Sequence, residues 1–161
     1  MVYLVLAAIV IAADQITKMM IRSALVPGET IPVIGDFFTI TYVQNKGAAF
    51  GMLSGQSKLL TLIPLAVIIA AMAFVLFSKK THPFVKFAVT LIAAGGAGNI
   101  IDRIQLGQVT DMISFSIFPP VFNVADIGVT VGCFLVLIYV LFGDRVEAAL
   151  SRGKKGEDIG S

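Results

Sequence analysis

Four aspartates in or beside the apolar segments of this chain are the residues best suited to catalysis: Asp14, Asp102, Asp111 and Asp126. Two carboxyl groups held close together in a partly dehydrated pocket cannot both ionise cheaply, so one of them keeps its proton. The ionised carboxylate can then take a proton from water while the neutral carboxyl donates to a carbonyl oxygen. This is the chemistry of an aspartic protease, which needs no metal. The spacing leaves open which two of the four form such a pair.

Residues that other catalytic mechanisms require are scarce in this sequence. Cys133 is the only cysteine, which excludes an intramolecular disulfide and a cysteine-cluster metal site, and its apolar surroundings predict a small buried hydrophobe. His82 is the only histidine and precedes Pro83 in a polar loop, which argues against a zinc site or a Ser-His-Asp mechanism. The net charge is only +2 and the basic residues are scattered, so we expect no nucleic-acid partner. With a single cysteine and a single histidine, we also expect no metal, and we expect no cofactor.

The composition indicates what kind of element must position these aspartates. Hydrophobic residues make up 57% of the 161 residues and charged residues only 14%, and the mean hydropathy is +0.93. Soluble domains carry about 25% charged residues, so a bilayer must solvate part of this surface. Four apolar stretches, residues 2–24, 59–77, 84–104 and 124–142, approach the roughly 20 residues that a spanning helix needs. We therefore predict an all-α membrane protein with four transmembrane helices.

The chain is predicted to form one membrane domain, residues 1–150, followed by a polar tail, residues 151–161. No basic residue precedes the first apolar stretch, and its apolar residues continue after Asp14. We therefore interpret it as a retained helix rather than a cleaved signal peptide. Seven Lys and Arg residues lie between spans two and three or beyond span four, against five on the other side. This bias predicts that both termini and the tail lie in the cytoplasm.

The polar residues of the apolar segments converge on one boundary of the membrane. They are Asp14 and Lys18 late in span one, Asn45 in the first outer connection, Asn99, Asp102 and Arg103 at the end of span three, Asp111 in the following loop, and Asn123 and Asp126 at the start of span four. Ionisable side chains within a span cost a few kcal/mol each, so such a cluster indicates a functional site. For Asp102, a structural ion pair with Arg103 is an alternative of equal weight.

The first outer connection contains a pattern that is typical of a strand. Residues 35–43 read Gly-Asp-Phe-Phe-Thr-Ile-Thr-Tyr-Val, in which apolar and threonine positions alternate. Together with Phe50, Met52 and Leu53, this segment is expected to lie on the membrane surface. The second outer connection, residues 105–123, holds three phenylalanines and is also expected at the membrane interface.

Five motifs in this chain resemble, in their order, those of the bacterial lipoprotein signal peptidases (signal peptidase II). They are Asp14-Gln15-Ile16-Thr17-Lys18, Asn45-Lys46-Gly47-Ala48-Ala49-Phe50-Gly51, Gly98-Asn99-Ile100-Ile101-Asp102-Arg103, Val109-Thr110-Asp111 and Phe122-Asn123-Val124-Ala125-Asp126. Any one of them alone would be weak, but together they cover nearly the whole chain. The resemblance implies an aspartic endopeptidase that removes the signal peptide from prolipoproteins and cuts before a cysteine that carries a diacylglyceryl group.

The resemblance also implies a role for each polar residue. The catalytic pair would be Asp111 and Asp126. The residues that hold the substrate would be Asn45, Asn99, Arg103 and Asn123. Asp14 and Lys18 would be supporting polar residues, and Asp102 would brace Arg103.

The same resemblance implies the surroundings of the site. The enzyme would be a multi-pass protein of the bacterial cytoplasmic (inner) membrane, with its site at the outer leaflet. A small extracytoplasmic β-sheet that includes residues 37–43 would cradle the substrate. Its partners would be prolipoproteins with a diacylglyceryl-cysteine lipobox and membrane lipids, and the antibiotic globomycin would inhibit it. We expect a monomer.

Two other classes of protein fit part of the pattern. A small transporter or proton carrier would also carry intramembrane acids, although transporters usually place them near the midplane and show inverted repeats. A non-catalytic assembly subunit would use its polar residues only to join helices. Flux assays would detect the first class. For the second, replacing Asp111 or Asp126 would have only mild effects.

Overall fold

A computed structural model of the chain describes residues 1–47 and 57–157, within which four α-helices and four β-strands follow one another. In chain order they are α1 (Val2–Ala24), β1 (Thr30–Ile34), β2 (Phe38–Asn45), α2 (Ser57–Phe77), α3 (Pro83–Leu106), β3 (Val109–Phe115), β4 (Phe118–Phe122) and α4 (Val124–Glu157). The four helices correspond to the four apolar stretches of the sequence. Because α4 extends to Glu157, the polar tail expected from residue 151 begins as a continuation of this helix.

Each helix contains an apolar segment long enough to cross a membrane: Val2–Ala24, Leu60–Phe77, Pro83–Leu106 and Val124–Gly143. Most side chains of these segments are not buried inside the protein, and Ile9 of α1 and Phe134 of α4 are each 61% exposed. Soluble monomers rarely expose apolar surface on this scale, so lipid must cover it. The prediction of four transmembrane helices is confirmed.

Close contacts between α3 and α4 depend on glycine. Helix α3 packs against α1, α2 and α4 and is therefore the central helix of the bundle. A Cβ atom at Gly132 of α4 would lie 2.6 Å from the Ala88 carbonyl oxygen of α3, and a Cβ atom at Gly95 of α3 would overlap the Ala125 carbonyl oxygen of α4. These glycines let the two backbones touch, and this fixes where the start of α4 meets the end of α3.

Local signals begin α3 and end it next to the polar residues. The His82 Nδ1 atom accepts a hydrogen bond from the Phe84 N–H at 3.2 Å, and Pro83 occupies the first turn, where a missing N–H costs nothing. At the other end, Gly107 has a φ angle of 72°, a left-handed conformation that glycine adopts without strain. The chain therefore turns sharply after α3 and enters β3, whose third residue is Asp111.

The four strands form one antiparallel sheet in the order β1-β2-β3-β4. The strand predicted at residues 35–43 corresponds to β2, whereas the sequence pattern did not indicate the other three strands. The assignment of Asp111 to a loop is wrong, because Asp111 lies in β3 and pairs with Val43 of β2. Main-chain pairing therefore fixes the position of this aspartate. The surface placement expected for residues 50, 52 and 53 lies outside the described residues.

Aromatic side chains cover the sheet. The rings of Phe37 and Phe38 lie 5.7 and 5.1 Å from the ring of Phe115, measured between centroids, and Phe118 stacks on Phe122 at 5.3 Å. Phe37 and Phe118 are exposed. Aromatic rings that are packed on one side and exposed on the other suit the interface between membrane and water.

Cys133 is exposed on α4, so the prediction that it is buried is wrong. The neighbouring Gly132 faces α3, and successive residues of a helix are rotated by about 100°, so Cys133 points away from the bundle. Its apolar surroundings in the sequence reflect a lipid-facing surface rather than a protein core.

Replacing Gly132 with alanine should destabilise the bundle by roughly 1–3 kcal/mol, because the new methyl group would press on the Ala88 carbonyl oxygen. Gly128→Ala is the matched control in the same helix, since a Cβ there would meet its nearest atoms at 3.5 Å. We expect this control to leave stability unchanged or slightly improved. Thermal unfolding of both variants in detergent micelles measures the difference, and equal melting temperatures would contradict it.

Candidate active site

Asp111 is held by two asparagine side chains in a buried position. Only 2% of it is exposed. Its Oδ1 atom accepts a hydrogen bond from Asn123 Nδ2 at 2.7 Å, and its Oδ2 atom accepts one from Asn45 Nδ2 at 2.9 Å. Asn45 reaches this position because β2 pairs with β3. Both oxygens of the carboxyl group are therefore directed by donors on neighbouring elements.

Asp126 belongs to the first turn of α4 and forms a capping box with Asn123. The Asp126 N–H donates to Asn123 Oδ1 at 2.9 Å, and the Asn123 N–H donates to Asp126 Oδ2 at 3.1 Å. These reciprocal bonds satisfy two N–H groups that the helix itself cannot satisfy. The Asp126 Oδ1 atom accepts a hydrogen bond from Asn99 Nδ2 of α3 at 2.8 Å. Asn123 is therefore the N-cap residue of α4.

Asn123 links the two carboxyl groups. Its side-chain amide donates to Asp111 and its main-chain N–H donates to Asp126, so both carboxyl groups lie within hydrogen-bond reach of one residue. The negative charge of Asp126 also acts on Asp111, which is a sign of their proximity. Of the four aspartates that the sequence leaves open, the structure brings these two together.

The surroundings of Asp111 favour its protonated form. Its pKa is raised to about 6, mainly by burial and also by the charge of Asp126, against the lowering effect of hydrogen bonds from Asn45 and Asn123. A carboxyl group with a pKa near 6 is mostly ionised at pH 7, but it takes up and releases a proton close to neutral pH more readily than a carboxyl group with an ordinary pKa. Two carboxyl groups in these surroundings can therefore share one proton.

Asp14 and Asp102 belong to a different group, which is centred on Lys18. The Lys18 Nζ atom lies 2.9 Å from Asp14 Oδ2 and 3.6 Å from Asp102 Oδ2, and all three side chains are completely buried. Arg22 NH1 lies 3.5 Å from Asp102 Oδ1. Buried charges of this kind persist only when they are paired. These two aspartates are therefore neutralised by cations instead of facing each other as acids.

Asn99 connects the two groups. Its Oδ1 atom accepts hydrogen bonds from Lys18 Nζ at 2.9 Å and from Asn123 Nδ2 at 3.0 Å. Because an ammonium group can only donate, it holds the amide oxygen toward itself and so turns Asn99 Nδ2 toward Asp126.

Arg103 contacts the first outer segment instead of Asp102. Its NH2 atom donates to the Gly47 carbonyl oxygen at 3.2 Å. The Asp102 side chain contacts Lys18, Arg22 and Gln15. Adjacent residues of a helix point about 100° apart, and the structure, which describes both side chains, shows no direct ion pair between Asp102 and Arg103. The charge of Asp102 still acts on Arg103 through space, so the expectation that Asp102 braces Arg103 stays a prediction.

Gln15, which the sequence places beside Asp14 among the converging polar residues, also belongs to the cluster. Arg22 belongs to it as well, although no role was assigned to it from the sequence. Gln15 Nε2 donates to Asp14, to the Gly98 carbonyl oxygen and to Asp102 at 3.0–3.2 Å. Arg22 stands eight residues after Asp14, with Lys18 midway, and this i, i+4, i+8 spacing marks one helix face. That spacing is a signal in the sequence from which Arg22 could have been assigned.

Two mainly apolar grooves meet at Asp126. One, of about 360 Å³, lies between α2, α3 and α4 and is lined by Pro64 and Ile68 as well as Asn99 and Arg103. The other, of about 230 Å³, lies between the sheet and α4. Such grooves, apolar along their length with polar groups at one end, can hold an apolar ligand and present one polar bond to the carboxyl pair. Within residues 1–47 and 57–157, no group of three His, Cys, Asp or Glu residues is arranged to hold a metal ion.

Comparisons with known proteins identify similar chains. The family model described as signal peptidase (SPase) II matches residues 6–142. The lipoprotein signal peptidase of Moorella thermoacetica is 38% identical over 136 residues, which cover 84% of this chain and 90% of the relative. That of Desulfitobacterium hafniense is 41% identical and covers 86% and 92%. A bacterial membrane enzyme solved by the in meso method superimposes with a TM-score of 0.80, at 36% identity and 87% coverage of both chains.

Removing the Asn45 side chain should raise the pKa of Asp111 above its value of about 6, because this hydrogen bond stabilises the charged carboxylate. The carboxyl carbon of Asp111 in protein labelled with ¹³C-aspartate reports the titration, and Asp111→Asn assigns the signal. Gln44→Ala is the control, since the exposed Gln44 bonds to the Tyr42 hydroxyl and not to Asp111. An unchanged or lowered pKa in Asn45→Ala would contradict this account of the site.

Proposed function

The chain belongs to the signal peptidase II family, and we propose that it removes the signal peptide from prolipoproteins by cutting before a cysteine that carries a diacylglyceryl group. As a member of this family it is a membrane peptidase of the aspartic type. One observation above all supports Asp111 and Asp126 as its catalytic pair, namely that Asn123 hydrogen-bonds to both carboxyl groups.

In the proposed mechanism the pair holds one proton between its two carboxyl groups. The ionised carboxylate takes a proton from a water molecule, and the oxygen of this water attacks the carbonyl carbon of the scissile bond. The neutral carboxyl donates its proton to the carbonyl oxygen, which would otherwise become an oxyanion. Water attacks directly, so no covalent intermediate with the enzyme forms. The carboxyl group that took the proton from water then donates it to the amide nitrogen, and the C–N bond breaks as the amine leaves. One hydroxyl of the tetrahedral intermediate returns its proton to the other carboxylate, which restores the pair with one proton. The pKa of Asp111, raised by its burial, supports this exchange near neutral pH.

The asparagines and Arg103 have different proposed roles in binding the substrate. Asn45, Asn99 and Asn123 already donate to the carboxyl pair and would hold the substrate backbone next to it. Arg103 lines the groove between α2, α3 and α4, and a guanidinium group has five N–H donors, one of which goes to Gly47. It is therefore suited to bind a carbonyl or ester oxygen of the lipid-modified cysteine.

The proposed orientation has both termini and the tail from residue 151 in the cytoplasm, and the site at the outer leaflet of the bacterial cytoplasmic membrane. The excess of basic residues on the side of the termini supports this orientation. The acyl chains of the substrate would then stay in lipid while its scissile bond lies across the carboxyl pair. We propose that one copy of the chain, surrounded by membrane lipids, is sufficient for activity.

Asp111→Asn and Asp126→Asn should each lower the cleavage of a diacylglyceryl-modified lipobox peptide by roughly 100- to 10,000-fold, because either change removes a proton acceptor or donor. Purified protein in detergent, with product quantified by mass spectrometry, measures this loss. Asp36→Asn makes the same chemical change at an exposed turn and should leave the rate within about twofold.

Three outcomes of this assay would count against the proposal. Near-normal turnover by either variant removes that residue from the pair. Equal cleavage of the unmodified peptide would show that the lipid is not recognised. Product formation that globomycin does not reduce would indicate an active site unlike the one that the family resemblance implies.

Single cysteines test the orientation. In a Cys133→Ser background, Asp36→Cys should react with a membrane-impermeant maleimide on intact cells, because residue 36 lies in the turn between β1 and β2 on the outer side. Lys79→Cys, in the connection between α2 and α3, should react only after the cells are permeabilised. The reverse pattern would show that the protein is inserted the other way.

A further inference from the structure

Asp14 holds the start of α4 directly before Asp126. Its Oδ1 atom accepts a hydrogen bond from the Ala125 N–H at 2.9 Å, although the two residues lie 111 positions apart in the chain. This N–H is one of the four at a helix start that find no partner within the helix. Gly98 makes room for the carboxylate, because a Cβ atom at this position would lie 2.5 Å from Asp14 Oδ2. The first turn of α4 is therefore tied to α1.

Asp102 binds the backbone of β3 at Thr110, the residue directly before Asp111. Its Oδ2 atom accepts a hydrogen bond from the Thr110 N–H at 2.9 Å, and this bond is buried. Arg22 adds a second link, since its NH1 atom lies 3.5 Å from Asp102 Oδ1 and donates to Thr110 Oγ1 at 3.1 Å. The strand that carries Asp111 is therefore tied to the end of α3.

The two ties meet at Lys18. Its Nζ atom pairs with the carboxylates of both Asp14 and Asp102, and all three side chains are inaccessible to solvent. We propose that these three residues, Asp14, Lys18 and Asp102, set the distance between the carboxyl groups of Asp111 and Asp126. Each of the two carboxylates accepts a hydrogen bond from the backbone N–H of the residue directly before one catalytic aspartate. Lys18 forms ion pairs with both carboxylates.

This inference rests on the proposed function, because it assigns the group a role in positioning the catalytic pair. The three residues are positioning residues, and in the described part of the chain none of them makes a direct hydrogen bond with either catalytic carboxyl group. Their main effect on the reaction comes through geometry, and Lys18 and Asp14 also act on the catalytic carboxyl groups through their charge. A displacement of about 1 Å in a reacting group can cost roughly 100-fold in rate. A shift of α4 relative to β3 should therefore lower kcat much more than it alters KM.

Asp14 is the best residue for the test, because Lys18 also donates to Asn99 and any change to it would disturb Asp126 by a second route. Asp14→Ala removes the acceptor for the Ala125 N–H and should lower kcat for the diacylglyceryl-modified peptide by about 100-fold, with KM changed less than threefold. Asp14→Asn keeps an oxygen for this N–H while losing the charge, and should recover about 10-fold of the lost kcat.

Thr90→Val is the matched control for a purely structural loss. Thr90 is as completely buried as Asp14, and within the described residues its hydroxyl donates only to the Lys86 carbonyl oxygen of its own helix, at 2.7 Å. We expect this variant to lose stability with little change in kcat per folded molecule, where the folded fraction is taken from thermal unfolding. If Asp14→Ala does not fold, Asp14→Asn decides alone, since it should lower kcat by about 10-fold where Thr90→Val does not.

Gly98→Ala tests the same group without altering a charge. Its new methyl group would press on the Asp14 carboxylate, so kcat should fall, whereas Gly128→Ala has room for a methyl group and should not change kcat. The inference is overturned if Asp14→Ala or Asp14→Asn loses no more kcat than Thr90→Val, if Asp14→Asn is as slow as Asp14→Ala, or if Gly98→Ala keeps normal kcat. Failure of the proposed function looks different, because wild-type protein would then not cleave the peptide or Asp111→Asn would remain active.

Discussion

The side chain and backbone of Asn123 together hold the two acidic groups that we propose as the catalytic pair. Two carboxyl groups brought out of water repel each other when both are charged, and each needs hydrogen-bond donors to be tolerated. Asn123 supplies a donor to each of them, and Asn45 and Asn99 supply one more apiece. In the described residues, no buried side-chain nitrogen or oxygen is left without a partner. These hydrogen bonds therefore allow the two acids to be held close together.

Glycines in the bundle make this arrangement possible. The backbones of α3 and α4 touch at Gly95 and Gly132, and Gly98 leaves space for the Asp14 carboxylate. The polar cluster thus occupies a place where helix backbones approach too closely for ordinary side chains. Close packing also limits how far the ends of the helices can move, and rigid support of this kind is what an acid pair with a defined separation requires.

The sheet and the bundle supply different parts of the site. Asp111 belongs to β3, and the main-chain pairing of β3 with β2 holds it in place. Asp126 lies in the first turn of α4. The grooves that meet at Asp126 are mainly apolar and open between elements that lipid surrounds. A substrate that arrives from the membrane with an apolar segment and acyl chains could therefore reach the acids without crossing water. This geometry fits the lipid-modified substrate that we propose for the family member described here.

The four spans, the strand near β2 and the convergence of polar residues on one boundary follow from the sequence alone. Apolar length and periodicity are local properties, and the cost of burying a charge depends on residue type more than on fold. Even the capping role of Asn123 is local, since it involves residues three positions apart. Resemblance to a family supplied the choice of Asp111 and Asp126, which spacing left open.

Only the tertiary structure decided which partners the buried charges have. Asp102 turned out to contact Lys18 and Arg22 rather than its neighbour Arg103, and Asp14 turned out to bind a backbone N–H 111 residues away. Three of the four strands were not predicted. The strands β1 and β4 are short and contain prolines, and β3 pairs with β2, which lies far earlier in the chain. Cys133 was predicted to be buried because lipid-facing and core positions look alike in composition. Local patterns in the sequence determine which polar residues need a hydrogen-bond or ion-pair partner. The fold determines which distant group is that partner, because this depends on how the helices pack and the strands pair.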